Sequence, residues 1–129
     1  MKKKFSLHWK SSKQVRKQRK YRYNAPLNIK HKFLSAQLSK ELRKKYNKRS
    51  LPLRKGDDVI VKIGNFKNTK GKIEKINLRK GKVFVSNVFI TKLDGNKVFS
   101  PLDPSNLMIT ELELNDKKRM KILERKVKK

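Results

Sequence analysis

The chain has 129 residues, of which 38 are Lys or Arg, 10 are Asp or Glu and 35% are hydrophobic, and its formal net charge is +28. Such a charge opposes compaction by self-repulsion and indicates a polyanionic partner. Cysteine is absent, which excludes disulfides, thiolate zinc sites and cysteine nucleophiles, and no window approaches the roughly 20 apolar residues that span a bilayer. Residues 5–10 contain polar and charged residues, so the apolar core of a secretory signal does not form there. We therefore expect a soluble intracellular protein.

The positive charge is concentrated at the two ends of the chain. Residues 1–53 carry 18 basic and 1 acidic residue, residues 54–115 carry 12 and 7, and residues 116–129 carry 8 and 2. An ordinary central domain is therefore flanked by two cationic arms that suit a phosphate surface. We predict a basic N-terminal extension over residues 1–50, a small barrel over residues 51–114 and a basic C-terminal helix or tail over residues 115–129.

The first part of the N-terminal arm is polar on all sides. Ser11 and Ser12 predict the cap of a helix over residues 13–20, and this helix has no apolar stripe. We therefore expect it to be largely disordered until phosphates neutralise it. Tyr21 and Tyr23 then flank an arginine. Their rings can stack on bases or pack on the barrel, and the sequence leaves both open.

A new helical segment starts near Pro26, whose missing N–H suits a first helical turn. Apolar side chains then recur every four residues, at Leu34, Leu38, Leu42 and Tyr46. Ser39 is typical of an N-cap and divides the segment. We predict two short helices, each of which packs one side against the domain.

Past this arm the period changes from that of a helix to that of a strand. Val59, Val61 and Ile63 alternate with other residues and are predicted to share one face. Ile73 and Ile76 lie three positions apart, which predicts a strand with a bulge or a strong twist.

Turn residues separate the later strands. Residues 83–85 begin a third strand that can extend through residues 88–90, Asp94 and Gly95 predict a hairpin, and residues 107–109 form a last strand. Four to five short strands at this spacing indicate a small barrel, because closing the sheet removes its exposed edges.

The C-terminal arm is predicted to be helical. Asn115 and Asp116 are suited to cap it, and Met120, Leu123 and Val127 form a thin apolar line along one side. The segment is short and cationic, so we expect this helix to be marginally stable when free.

An enzymatic role has little support in the sequence. Asp57 and Asp58 form the one close acidic pair, but adjacent strand residues point to opposite faces, so we predict surface ion pairing with Lys55 and Lys62 instead. Both histidines lie in basic surroundings that repel a cation, and the glycines lack the spacing of a phosphate-cradling loop. We predict no catalytic residues, no metal site, no cofactor and no small-molecule substrate.

The barrel region resembles a known motif. Residues 55–61 (KGDDVIV), 64–67 (GNFK) and 70–73 (KGKI) resemble the KOW motif of SH3-like barrels. The resemblance implies a mainly β fold, a small SH3-like barrel with a basic, partly helical N-terminal extension and a short C-terminal helix. The motif alone leaves ribosomal proteins and transcription elongation factors both open.

The flanking segments resemble one family in particular, the archaeal and eukaryotic branch of the large-subunit ribosomal protein called twenty-four in bacterial naming and twenty-six in eukaryotic naming. The similar segments are residues 16–20 (RKQRK), 23–27 (YNAPL), 39–43 (SKELR), 47–52 (NKRSLP), 104–106 (PSN) and 121–126 (KILERK). Together they cover nearly the whole chain from about residue 11.

This family resemblance implies a structural component of the large ribosomal subunit. It would bind the 5′ domain of large-subunit rRNA near the polypeptide exit tunnel and assist early assembly, with neighbouring ribosomal proteins and exit-tunnel-associated factors as partners and no membrane. The expected location is the cytosolic ribosome, with nucleolar assembly if the organism is a eukaryote. The alternative is a KOW-type transcription or chromatin accessory factor that binds nucleic acid or polymerase.

The candidate RNA-binding residues come from the arm and from the turns of the barrel. In the arm they are Arg16, Lys17, Arg19, Lys20, Tyr21, Arg22, Tyr23, Lys30 and Lys32. In the barrel they are Lys55, Lys67, Lys70, Gly71, Lys72, Arg79, Lys80 and Lys82. Each lysine taken singly is expected to be a solvated surface residue, whereas together they indicate a polyanion. By the resemblance, Gly71 permits close approach of RNA, and the hairpin at Asp94 projects toward the tunnel rim.

Three positions depart from the family pattern. Asn68 stands where glycine is frequent, and asparagine can still adopt the left-handed conformation that a turn requires there. Ile63 replaces a common basic residue, which removes one expected phosphate contact. Asp103 replaces a histidine and places a negative charge where RNA is expected.

Overall fold

The computed structural model describes residues 5–9 and 11–125, and all structural statements below concern these residues. Its α-helices are Val15–Asn24 (α1), Leu27–Phe33 (α2), Lys40–Tyr46 (α3) and Lys117–Glu124 (α4). Its strands are Ser35–Leu38 (β1), Ser50–Pro52 (β2), Asp58–Val61 (β3), Lys70–Asn77 (β4), Lys82–Val85 (β5), Phe89–Thr91 (β6), Lys97–Phe99 (β7) and Leu107–Glu111 (β8). Short 3-10 turns lie at Leu7–Trp9 and Pro104–Asn106.

Six strands form one mixed sheet in the order β2-β1-β8-β3-β4-β5, and β6 and β7 form a separate hairpin. Within the six-stranded sheet β1 and β8 run parallel, and the other neighbouring pairs are antiparallel. This sheet extends the predicted four to five strands and confirms the mainly β, barrel-like fold.

The core lies on the inward face of this sheet. Val59 and Val61 of β3 are both buried, as predicted, and the register of β4 against β5 shifts between Ile73 and Lys75, which confirms the predicted bulge. Ile63 does not share the buried face: its side chain is 62% exposed. The prediction for Ile63 is wrong because β3 ends at residue 61 and the chain then enters a turn.

The segment predicted as two helices contains a strand. Leu34, Ala36 and Leu38 are buried at every second position, and β1 pairs with β2 on one side and β8 on the other. Tertiary pairing here overrides the four-residue spacing of leucines. The Ser39 cap is confirmed, since its hydroxyl accepts a hydrogen bond from the Leu42 N–H at 3.3 Å. Part of the predicted N-terminal extension therefore lies inside the sheet, so the boundary predicted at residue 50 falls within one folded unit.

The hairpin predicted at Asp94 and Gly95 is confirmed, with Phe89 opposite Phe99 in the ladder between its strands. Every residue from 89 to 99 is exposed. The predicted continuation of the third strand is wrong, because the chain turns at residues 86–87 between β5 and β6.

The two terminal helices follow the sequence in part. Helix α1 buries no side chain, as its polar sequence predicts, but it begins after Gln14, and the Ser12 hydroxyl accepts from the Gln14 N–H before the helix instead of capping it. Helix α4 begins at the predicted cap, where Asp116 accepts from the Lys118 N–H at 2.7 Å. Of its predicted apolar line, Leu123 is buried, Met120 packs partly against the core and Val127 lies outside the described residues.

Candidate nucleic-acid interface

A cationic groove of about 560 Å³ forms where α1, α2, the turn after β4 and the turn before β8 meet. Its basic lining residues are Arg22, Lys30, Arg79, Lys80 and Lys82. Phe33, Leu34 and Leu78 supply its apolar wall. Segments far apart in sequence thus bring five cations to one concave surface. Such an arrangement can hold a chain of phosphates with its less polar parts against the wall.

A second cavity, of about 650 Å³, shares three of these cations. We call it the tyrosine recess, and its lining residues are Arg22, Tyr23, Leu27, Lys30 and Arg79. Arg22, Lys30 and Arg79 therefore border both cavities. None of the three forms an ion pair within the described residues, so their charge faces whatever enters from outside.

Asp103 is the one acidic residue among the described residues that line the groove, and its carboxylate forms an ion pair with Lys82. Lys82 Nζ lies 2.6 Å from Asp103 Oδ1, and both side chains are partly exposed. The pair partly neutralises one of the groove cations. Asp103 therefore lowers the positive charge at this edge of the groove, as its departure from the family pattern suggests.

The remaining barrel candidates lie on other elements. Lys70 and Lys72 are exposed on β4, opposite Ile60 and Asp58 of β3. Lys67 and Lys55 lie in turns, exposed to solvent. These four lysines do not line the groove. We call them the β4 group, and we call the five cations that line the groove the groove group.

The arm candidates divide as well. Arg16, Arg19 and Lys20 are exposed on α1, Lys17 on the same helix is partly buried, and Lys32 is exposed in the last turn of α2. None of these five lines the groove or the tyrosine recess. Among the described candidates of the arm, Arg22 near the end of α1 and Lys30 in the middle of α2 border both cavities.

Tyr21 and Tyr23, whose role the sequence leaves open, have different environments. The Tyr21 ring packs between Phe5 and Phe33, with centroid distances of 5.0 and 5.9 Å. Tyr23 is 83% exposed. Tyr21 therefore anchors α1 to neighbouring parts of the chain, and Tyr23 is the ring that remains free to stack.

Gly71 has an internal reason to be glycine. It lies in β4, and a Cβ at this position would come within 2.6 Å of Val85 Cγ1 and 3.0 Å of Ser86 Oγ. Neither distance is tolerable without a shift of a side chain on or beside β5. The glycine therefore permits β4 and β5 to pack, whereas the resemblance had implied that it permits RNA to approach.

Asn68 fulfils the role expected of it. Its φ is +67°, in the left-handed region, and its N–H donates to the Val61 carbonyl at 2.8 Å. The turn after β3 is therefore formed without glycine at this position.

His31 lies on α2 beside two arginines. Its partial burial lowers its pKa below the ordinary histidine value, and the positive charges of Arg54 and Arg119 lower the pKa further. The neutral imidazole is therefore the favoured form in this positive field.

Asp57 and Arg119 form a buried ion pair that was not predicted from the sequence. The two side chains are 0% and 2% exposed, so the predicted surface pairing of Asp57 is wrong. Both carboxylate oxygens accept from the guanidinium at 2.6 Å, and they also accept the backbone N–H groups of Arg54 and Glu113. A signal was present in the sequence: Arg119 lies four residues before Leu123, on the apolar side of the final helix.

No group of His, Asp and Glu side chains in residues 5–9 and 11–125 could hold a metal ion. Across the same residues, every helix is too short or too polar to cross a membrane.

The chain is a small, mainly β domain, and its cationic side chains line a concave surface. These features are typical of basic proteins that bind a polyanion. Within that class, the chain belongs to the family of ribosomal proteins that comprises L26 of eukaryotes and its archaeal counterpart, and the sequence model of this family matches residues 12–126. This confirms the resemblance found in the KOW motif and its flanks, and the family consists of ribosomal proteins, not enzymes.

Two archaeal relatives are similar over most of the chain. The large ribosomal subunit protein uL24 of Methanosphaera stadtmanae is 46% identical over 116 residues, which cover 90% of this chain and 99% of the relative. The protein of the same name from Methanosarcina barkeri is 50% identical over 108 residues, which cover 84% of this chain and 93% of the relative.

Proposed function

We propose that this chain is a structural component of the large ribosomal subunit and binds large-subunit rRNA through its groove and its arms. The observation that carries the proposal is the groove itself, where five cations from separate segments meet and the described residues supply one carboxylate, already paired. A net charge of +28 over 129 residues needs a polyanion to offset its self-repulsion. Family membership supports the ribosome as the source of that polyanion.

The binding energy would come mainly from phosphate neutralisation. The groove group, Arg22, Lys30, Arg79, Lys80 and Lys82, is the centre of the contact. The exposed cations of α1 extend it on one side, and the β4 group offers a second basic surface. With about eight cations engaged, the logarithm of the binding constant should fall with the logarithm of salt concentration with a slope of about −7.

The finer assignment follows the family resemblance. The chain would bind the 5′ domain of large-subunit rRNA early in assembly, close to the polypeptide exit tunnel, in cytoplasmic ribosomes. Its arm would lie between rRNA helices and its exposed hairpin of β6 and β7 at the tunnel rim. Neighbouring ribosomal proteins and exit-tunnel-associated factors would be its protein partners.

Sedimentation separates this proposal from the role of a transcription or chromatin factor. In a sucrose gradient of cell lysate at moderate salt, the chain should travel with the large subunit. Co-sedimentation with polymerase or chromatin would support the alternative, which family membership does not favour. For the purified chain and a fragment of large-subunit rRNA, the logarithm of the binding constant can also be plotted against the logarithm of salt concentration. A slope near −1 would contradict the proposal of extensive phosphate contact.

A further inference from the structure

The tyrosine recess combines an exposed ring with unpaired cations. Tyr23 is 83% exposed and Leu27 is 50% exposed, although both are large side chains with apolar surface. Leaving such surface in water is unfavourable, and a partner that covers it gains the corresponding free energy. The three cations beside it, Arg22, Lys30 and Arg79, limit that partner to a group with negative charge.

The orientation of Tyr23 is fixed by its helix. Tyr21, two positions earlier on α1, packs against Phe5 and Phe33 and so anchors one side of the helix. Residues two apart on a helix point in different directions, so the same anchoring directs Tyr23 away from these rings. The exposed ring of Tyr23 thereby lies beside three cations.

A double helix cannot use an exposed aromatic ring. Its bases are stacked inside, and a protein that approaches from outside reaches mainly phosphates, riboses and groove edges. An unpaired nucleotide presents both a phosphate and a free base face, which suit a cation and an aromatic ring respectively.

We infer that the tyrosine recess binds an unpaired nucleotide of RNA, with its base stacked on Tyr23 and its phosphates held by Arg22, Lys30 and Arg79. This inference rests on the proposed rRNA binding and specifies the form of the RNA at one place. Because the three cations also border the groove, the strand continues from the recess into the groove.

The test compares two labelled RNAs, a short oligouridylate and an RNA duplex of the same length, by fluorescence anisotropy with the full chain. Tyr23→Ala should weaken binding of oligouridylate about 5- to 150-fold, the usual loss for one stacked base. Its affinity for the duplex should stay within about twofold, because duplex contacts are to phosphates. Tyr23→Phe, which keeps the ring, should restore the affinity for oligouridylate.

Two further variants serve as controls. Arg79→Ala should weaken binding of both RNAs, since it removes a shared phosphate contact. Leu93→Ala removes a fully exposed apolar side chain at the hairpin and should change neither affinity. Circular dichroism of each variant checks that the fold is retained.

The outcomes separate this inference from the proposed function. If the unmodified chain binds neither RNA, the proposed rRNA binding fails, and the inference fails with it. If it binds both and Tyr23→Ala affects neither, or both equally, rRNA binding stands and the stacked nucleotide is disproved. If Tyr23→Ala leaves the affinity for both RNAs unchanged but reduces incorporation of the chain into the subunit, the recess contacts a neighbouring protein. That outcome also overturns the inference.

Discussion

Asp57 and Arg119 form a bidentate ion pair that is almost completely buried and joins the start of β3 to the C-terminal helix. Arg119 also donates to the backbone carbonyls of Glu113 and Pro52, at 2.9 and 3.3 Å. Arg54 and Asp116 form a second pair across the same junction, at the cap of α4. A helix that would be marginal alone is therefore held on the barrel by charge as well as by Leu123.

Removing one partner of the buried pair should destabilise the protein strongly. Arg119→Met leaves the Asp57 carboxylate buried and without its counter-charge, and we expect a loss of about 3–5 kcal/mol in the free energy of unfolding. Urea denaturation followed by circular dichroism measures it. The double variant Asp57→Asn with Arg119→Met should lose less than the sum of the two single variants. Lys118→Ala, on the exposed side of the same helix, is the control, and a loss below about 1 kcal/mol for Arg119→Met would contradict the account.

Substitution of Gly71 should act through packing inside the protein. Gly71→Ala places a Cβ within 2.6 Å of Val85 Cγ1, and such overpacking typically costs about 1–3 kcal/mol. Combining it with Val85→Ala should recover part of that loss, because the smaller side chain makes room for the new methyl group. Thermal or urea unfolding of the two single variants and the double variant measures this coupling. Additive losses would show that the clash with Val85 is not the cause.

The pH dependence of stability should show the lowered pKa of His31. The folded state binds this proton less readily than the unfolded state, so the stabilisation is complete above about pH 6.5 and is lost as the pH falls through the lower folded pKa. His31→Gln should flatten the urea unfolding midpoint over this window. The pKa of Asp116 is also lowered, first by the Lys118 backbone N–H, so its contribution is lost only as the pH falls below the ordinary Asp value. An unchanged pH profile in His31→Gln would contradict this explanation.

Deletion of residues 1–22 should leave the barrel folded and weaken its incorporation into large subunits. Helix α1 buries no side chain, and the deletion removes chiefly the packing of the Tyr21 ring on Phe33. The far-ultraviolet circular dichroism of the truncated chain should retain its β signal. An unfolded product would show instead that the arm contributes to the core.

The sequence predicted those features that depend on local chemistry. The Asp94–Gly95 hairpin, the Ser39 and Asp116 caps and the bulge after Ile73 each follow from a few neighbouring residues, and all are present. The positive surface was also evident from charge alone. These features need no knowledge of which distant segments meet.

The features that the sequence did not predict depend on long-range pairing. Leu38 fits a helix by its spacing, and the pairing of β1 with β2 and with β8, both distant in sequence, makes it a strand residue. The Asp57–Arg119 pair joins residues 62 positions apart, and Gly71 is constrained by Val85 on another strand. The groove was not predicted for the same reason, since its cations come from α1, α2, the turn after β4 and the start of β5.

The central claim is that the groove cations bind rRNA phosphates, and the salt dependence of binding tests it most directly. For a fragment of large-subunit rRNA, the variant with Arg22, Lys30 and Arg79 all changed to Ala should show a salt slope shallower by about 2 to 3 than that of the unmodified chain. A control of equal charge, with Lys75, Lys92 and Lys97 all changed to Ala, alters exposed lysines outside the groove and the arms and should keep the original slope. Equal slopes for the groove variant and the unmodified chain would contradict the claim.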